Sequence, residues 1–249
     1  MAHKMTKPIG VLGGMGPLAT KVFFGMIIDN TIAGCDQDHI DMIILNHAGM
    51  PDRTKALLSG NTKLLFEYLL ADCVFLEESG ASHIAIPCNT SLAFVGELQA
   101  RLEIPIINML HEAVKDVAMA KGKGIKAGIL ATDGTVKLNL YKKEMEEQGI
   151  VPYVPSEENQ RRIMRIIYDG IKGGGKIDFA DFVEIEKELM DEGCVCAVMG
   201  CTELSCFKEM FNLEDSYYFD AMKSLAIATI IAGGGKVKGI WQKSNEDTH

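Results

Sequence analysis

Short apolar runs alternate with longer segments of helical periodicity along most of the chain. The short runs have no polar face, which is typical of strands buried on both sides of a parallel sheet. The predicted strands are 9–14, 41–47, 83–88, 104–109, the first part of 125–135, 151–155, 194–200 and 217–220. The predicted helices are 17–30, 61–80, 91–102, 110–121, 136–148, 157–172, 179–192, 202–211 and 221–232.

The order of these segments predicts the fold class. Repeated strand–helix units with right-handed crossovers give a doubly wound α/β architecture. The pattern starts again at 125, where IKAGILA resembles the earlier PIGVLGG, and this indicates an internal duplication. We therefore expect two similar doubly wound lobes, each a parallel sheet flanked by helices, with the active site between them. The predicted domains are 1–115, joined by the C-terminal segment 219–249, and 116–218.

Composition narrows the classes of partner and location. The formal net charge of -9 and pI of about 5.2 disfavour nucleic acid and anionic membrane surfaces as partners. No apolar stretch reaches the roughly 18 residues that a membrane span needs. The apolar run after the polar residues 1–7 breaks at Gly13, so we expect no signal peptide. Seven cysteines in a chain of 249 residues predict free thiols and a reducing cytoplasm.

Two of the cysteines share one setting, because each follows an apolar run and precedes a threonine and a helical segment. Cys88 lies in AIPCNTSLAF and Cys201 lies in AVMGCTELSCF. Ligands of open α/β sheets bind beyond the carboxyl ends of the strands, near helix N-termini. We expect the helix N-terminus to lower the pKa of each thiol and to form an anion site. Asn89, Thr90 and Thr202 would add side-chain donors to that site.

A pair of cysteines flanking one cleft has a definite chemistry. A first thiolate raises the pKa of the second thiol, because like charges repel. Near neutral pH such a pair holds one thiol and one thiolate and titrates as a coupled unit. This is the state that removes a proton from one side of a carbon and returns one to the other side. The pattern therefore predicts inversion of a stereocentre.

The chain resembles the aspartate/glutamate racemase family, and within it the cofactor-independent aspartate racemases. The resemblance spans nearly the whole chain in family order. Its motifs are GVLGGMGPLAT (10–20), PDRT (51–54), PCNT (87–90), LATDGT (130–135), IYDGIKGG (167–174) and GCTEL (200–204). A two-lobe fold and a homodimer are implied by the same resemblance.

The resemblance implies a role for individual residues. Cys88 and Cys201 would be the two acid/base thiols, and Arg53 and Lys172 would hold the carboxylates of an acidic amino acid. Arginine suits a carboxylate because its planar fork makes two parallel hydrogen bonds. These charges would also stabilise a carbanion or enediolate without pyridoxal phosphate, so no organic cofactor and no metal are expected. The predicted substrate-binding residues are Arg53, Lys172, Asn89, Thr90, Thr202, Met15 and Thr132.

Two alternative functions are also compatible with the sequence. Relatives often carry histidine two residues after Cys-Asn-Thr, where this chain has Leu92. One alternative is a decarboxylase or a cis-trans isomerase of a small dicarboxylate that uses one cysteine. Another is a relative without catalytic activity that binds an acidic metabolite.

Several further motifs have simpler interpretations. Zinc is disfavoured, because Cys194 and Cys196 have no second pair at zinc spacing. GGMG lacks the dinucleotide-binding pattern, and neither GGGK segment matches a P-loop. Cysteines away from the two strand ends are expected to be small buried apolar residues, apart from Cys35 on its predicted loop. His47, near the predicted cleft, is expected to have a structural hydrogen bond.

Overall fold

Parallel strand pairing builds two sheets with the same order in a computed structural model, which describes residues 7–238. The first sheet has the order β2-β1-β3-β4, with β1 (Ile9–Gly13), β2 (Met42–Asn46), β3 (His83–Ala85) and β4 (Ile106–Ile107). The second has the order β6-β5-β7-β8, with β5 (Lys126–Ala131), β6 (Val151–Tyr153), β7 (Cys196–Gly200) and β8 (Tyr218–Asp220). The predicted fold of two similar parallel-sheet lobes is confirmed.

Helices connect the strands and cover both sheets. They are α1 (Pro17–Asn30), α2 (Arg53–Ser59), α3 (Lys63–Glu78), α4 (Val95–Gln99), α5 (Met109–Lys121), α6 (Asp133–Lys137), α7 (Leu140–Glu147), α8 (Glu157–Arg165), α9 (Phe179–Asp191), α10 (Thr202–Phe211) and α11 (Ala221–Ala232). No helix within residues 7–238 has the length and apolar character to cross a membrane.

Three predicted helices are less regular than their periodicity indicated. The segment predicted as 91–102 starts as a 3₁₀ helix, Thr90–Phe94, and continues as the short α4. The segment predicted as 136–148 is divided into α6 and α7, because Asn139 has a φ of 54° in the left-handed region. The segment predicted as 157–172 changes after α8 into a π-helix, Ile166–Lys172.

The two lobes share a hydrophobic core. Side chains alternate across the second sheet, so Ile129 of β5 packs into the core of the first lobe while its neighbour Leu130 packs on the other side. Val198 of β7 likewise joins the first core, and Met199 joins the second. The second core is covered by α9 and α10 through Phe182 and other aromatic side chains. One face of the second sheet is therefore built into the first lobe.

The last helix returns to the first lobe. Helix α11 packs against α1 and α5, and its residue Leu225 is fully buried in the shared core. Backbone bonds continue this contact after the helix, from Ile32 N–H to the Lys236 carbonyl at 2.7 Å. The domain boundaries stay a prediction; residue 219 lies inside β8 of the second sheet, and 239–249 lie outside the described residues, as do 1–6.

We predict that Gly200→Ala destabilises the fold by about 1–3 kcal/mol. A Cβ at Gly200 would lie 2.5 Å from the ring of Tyr141, a residue that is only 1% exposed. The ring must move, and urea unfolding measures the cost. The matched control is Gly25→Ala in α1, where a Cβ meets open space. The control is expected to stabilise the helix by about 0.5–1 kcal/mol. Equal unfolding free energies for the two variants would contradict the prediction.

Candidate active site

Both cysteines singled out by the sequence lie beyond carboxyl strand ends and line one cavity. Cys201 follows β7 directly, and Cys88 follows β3 after two residues. The lining residues of the cavity are Met15, Arg53, Thr54, Cys88, Asn89, Thr90, Thr132, Tyr168, Lys172, Cys201, Thr202 and Glu203. Every predicted site residue is in this set, and the roles assigned to these residues stay predictions. The sequence did not predict three of the lining residues, which are Thr54, Tyr168 and Glu203.

The cavity is narrow. Its volume is about 10 Å³. That is space for roughly one water molecule. Both cysteines are 6% exposed, and Asn89 and Thr132 are buried as deeply or more so. A ligand as large as an amino acid therefore enters only if side chains or lobes move apart.

Arg53 is placed by a short helix that periodicity did not reveal. Asp52 caps α2 by accepting a hydrogen bond from the Lys55 N–H at 2.8 Å, and Arg53 is the first residue of that helix. The Arg53 guanidinium donates to the Pro51 carbonyl at 3.1 Å. Burial lowers the pKa of Arg53, but its interactions with Cys88 and Asp52 outweigh that effect and leave the pKa raised. Arg53 is a cation held beside Cys88.

Lys172 is placed by the π-helix. The turn is tight at Gly170, where a Cβ would lie 2.7 Å from the Ile177 side chain. The Lys172 ammonium lies 4.2 Å from the centre of the Tyr168 ring, and its side chain is 25% exposed. Burial lowers the pKa of Lys172, but the charges of Glu203 and Cys201 raise it overall. Lys172 is the second cation of the cavity.

Glu203 is the anion that balances these cations. Its carboxylate lies 3.7 Å from the Lys172 ammonium and accepts a hydrogen bond from the Cys201 thiol at 2.9 Å. The side chain of Glu203 is only 6% exposed. The sequence signal that could have identified Glu203 is its position in GCTEL, two residues after Cys201. A buried acidic side chain in the first turn of a helix needs a partner of this kind.

The expected lowering of the thiol pKa at a helix N-terminus is wrong for Cys201. Burial and the neighbouring Glu203 carboxylate raise the pKa of Cys201 well above its ordinary value, and the Lys172 charge offsets this only in part. Cys201 stands at the N-cap of α10 without a side-chain capping hydrogen bond, and the Glu203 backbone N–H lowers the pKa of the thiol less than burial and the carboxylate raise it. The thiol donates to Glu203 instead, so the helix dipole is not the dominant influence.

Polar contacts hold the two lobes together around the cavity. The hydroxyl groups of Thr90, Thr132 and Thr135 form a triangle with each side 3.2 Å. The Tyr141 hydroxyl donates a hydrogen bond to the Asn89 side-chain oxygen, and this bond also links the second lobe to the first.

One hydrogen-bond donor at the site is unpaired among the described residues. The Asn89 side-chain nitrogen is buried and has no hydrogen-bond partner among the described residues. Because an unpaired buried donor costs free energy, an acceptor on a bound molecule would relieve it. This fits the predicted substrate-binding role of Asn89.

His47 lies outside this cavity. Its Nδ1 pairs with the Asp72 carboxylate at 2.6 Å, and its ring lies 5.3 Å from that of Tyr68. The pair ties the end of β2 to α3, in line with the structural role expected for His47.

Comparison with known proteins gives a family match and related sequences. The model of the Asp/Glu/hydantoin racemase family matches residues 12–226. A broad specificity amino-acid racemase, RacX, from Bacillus subtilis (strain 168) is 29% identical over 154 residues, which are 57% of this chain and 61% of that protein. A glutamate racemase from Aquifex pyrophilus is 31% identical over 86 residues, 34% of each chain. The matched regions thus span less than two thirds of these relatives.

Solved structures with the same fold include racemases. The aspartate racemase of Picrophilus torridus has a TM-score of 0.78 and 24% identity, covering 93% of this chain and 96% of that one. Glutamate racemase RacE1 from Bacillus anthracis has a TM-score of 0.60 and 19% identity, covering 89% and 79%. These likenesses support the two-lobe fold, and the family match covers most of the sequence. The chain belongs to the Asp/Glu/hydantoin racemase family.

Proposed function

We propose that this protein is an amino-acid racemase that inverts the α-carbon of aspartate or a similar acidic amino acid. The observation that carries the proposal is the shared cavity: Cys88 from one lobe and Cys201 from the other line it together with two cations, Arg53 and Lys172. The family match and the names of the related racemases support the same reaction class.

The reaction needs one thiolate and one thiol. The thiolate takes the α-proton, and the electron pair of that C–H bond moves into the α-carboxylate as an enediolate. The thiol on the opposite side then donates its proton to the α-carbon, and the enediolate electron pair forms the new C–H bond. General acid–base catalysis of this type contributes about 10²–10⁴-fold to a rate.

The charges around the cavity fit an acidic substrate. A chain with a net charge of -9 repels anions at long range, so a local cationic site is needed to hold them. Arg53 and Lys172 provide two cations for two carboxylates, and hydrogen bonds from the unpaired Asn89 nitrogen and the threonine hydroxyls complete the set. Fixed cations also stabilise the negative charge of an enediolate.

Substrate entry requires the cavity to widen, because its present volume holds only about one water molecule. Two contacts across the cavity must break for it to widen. One is the hydrogen bond from the Tyr168 hydroxyl to the Asp52 carboxylate at 3.2 Å, and the other is the triangle of threonine hydroxyl groups. Closing them again would exclude water from the reacting carbon. A racemase gains from this, because bulk water would quench the carbanion.

We predict that Cys88→Ala and Cys201→Ala each lower racemisation of aspartate by at least about a hundredfold, because each removes one acid/base group. Chiral chromatography measures the racemisation. In deuterated water, each single variant is expected to exchange the α-proton of one enantiomer only, since one opposed base remains. Cys206→Ala is the control, because Cys206 is also 6% exposed but does not line the cavity.

Racemisation at full rate in both single variants would exclude the two-base mechanism. A covalent adduct with a dicarboxylate, detected by mass spectrometry, would favour the decarboxylase or isomerase alternative. Binding without any deuterium exchange would favour a relative without catalytic activity.

We predict that Arg53→Lys lowers kcat/KM for aspartate by about 10- to 100-fold, because it keeps the charge but removes the planar fork that holds a carboxylate. Lys172→Met is expected to lower it at least as far, because it removes a charge. Lys176→Met, outside the cavity on the following loop, is the control. Steady-state kinetics on both enantiomers test this; unchanged kcat/KM in Arg53→Lys and Lys172→Met would remove both residues from the substrate site.

The homodimer and the cytoplasmic location stay predictions. Sedimentation of the purified protein tests the dimer, and fractionation of the producing cell tests the location.

A further inference from the structure

The two thiols of the cavity have opposite electrostatic surroundings. Cys201 donates to the Glu203 carboxylate at 2.9 Å, so its nearest charged group is an anion. Cys88 lines the cavity beside Arg53, whose guanidinium is a cation. A pair of bases related by symmetry would have matching neighbours, whereas these two do not.

Contacts on both oxygens hold Glu203 in this position. Oε1 faces the Lys172 ammonium at 3.7 Å. Oε2 accepts from the Cys201 thiol and also from the Thr202 hydroxyl at 3.3 Å. Because Glu203 lies in the first turn of α10, the helix N-terminus further stabilises its negative charge. The carboxylate cannot turn away from Cys201 without losing these contacts.

The other groups around Cys201 do not reverse this bias. Lys172 favours a thiolate, but its charge is shared with Glu203. Tyr141 of α7 is buried and directs its hydroxyl to Asn89 of the first lobe. Arg53 and Cys88 line the same cavity from the first lobe, and a thiolate at Cys88 would repel a second one at Cys201.

We propose that Glu203 is a positioning residue that keeps the proton on Cys201, so that Cys88, beside Arg53, is the thiolate of the resting pair. The protonation state of the two-cysteine pair is thereby set before any substrate binds. This inference rests on the proposed function for its catalytic meaning, but the state of the thiols is measurable without substrate.

The assignment gives each cysteine a first role. In the resting enzyme the Cys88 thiolate removes the α-proton, and the electron pair of that bond passes into the enediolate. Cys201 then gives its proton to the opposite side of the carbon, where that electron pair forms the new bond. The product state holds a Cys88 thiol and a Cys201 thiolate beside Glu203. The resting pair returns when Cys88 loses its proton and Cys201 gains one, either by a reverse turnover or by proton exchange of both thiols with water.

The experiment is a titration of each active-site thiol by the ultraviolet absorbance of its thiolate. Cys201 is followed in Cys88→Ala, Cys88 is followed in Cys201→Ala, and the double variant is subtracted to remove the remaining cysteines. With Glu203 present, Cys88 is expected to lose its proton at lower pH than Cys201. The opposite order would overturn the proposal, and this comparison does not depend on any change at Glu203.

Replacement of Glu203 tests the cause. In the Cys88→Ala background, Glu203→Gln is expected to move the Cys201 titration to lower pH by about one to three pH units, because a like charge is removed and Lys172 is released. Glu209→Gln is the matched control: it removes the same charge from the exposed end of α10, outside the cavity, and is expected to leave the titration in place. An unchanged Cys201 titration in folded Glu203→Gln would overturn the proposal.

Activity supplies a separate test. A reaction that needs the Cys201 proton fails once that proton is lost, so the alkaline limb of kcat/KM is expected to move to lower pH in Glu203→Gln. Glu203→Asp, which keeps the charge, is expected to restore part of the difference. If the thiols titrate as described but no amino acid is racemised, the proposed function fails and the assignment of the proton stands. If racemisation proceeds with the same alkaline limb in Glu203→Gln, the assignment fails and the function stands.

Discussion

Parallel pairing of the central strands is the constraint on which the rest of this structure depends. β1 pairs in parallel with both β2 and β3, and β5 pairs in the same way with β6 and β7. Parallel strands end at a common edge, so the loops after them converge. Met15 and Cys88 follow strands of the first sheet, while Thr132 and Cys201 follow strands of the second. The shared core then joins the two edges at one cavity.

The cavity concentrates charge in a place where water is scarce. Burying an isolated charge in such a place costs desolvation free energy, and only close partners of opposite charge or hydrogen-bonding groups offset this cost. Lys172 and Glu203 form one such pair, and the Asp52 carboxylate offsets the charge of Arg53. Paired in this way, the cations remain charged. The same pairing gives the two thiols different surroundings, although the lobes that carry them have the same strand order.

The regular elements followed closely from periodicity, while the irregular ones cluster at the site. Helices α1, α10 and α11 have the predicted bounds. The unpredicted features are the 3₁₀ helix after Cys88, the left-handed Asn139 after α6, the π-helix that ends at Lys172, and α2, which begins at Arg53. Periodicity reports which side of a segment is buried, averaged over several turns. It does not report a local change in winding, and here the 3₁₀ helix and the π-helix both contain residues that line the cavity.

Local sequence was sufficient for the α/β class, the repeated lobes, the family and the nine candidate residues of the site. Burial pattern and strand-end position carry the fold class and the two cysteines, because both are written in neighbouring residues. The family, Arg53 and Lys172 were predicted from motifs that resemble those of the family. The pairing of Glu203 with Lys172 was not accessible in this way, since the two residues meet only when the π-helix packs beside α10. The pKa of Cys201 was misjudged for the same reason. A helix N-terminus is visible in sequence, but burial and a carboxylate fixed at 2.9 Å arise only from the folded chain, and they act more strongly on the thiol.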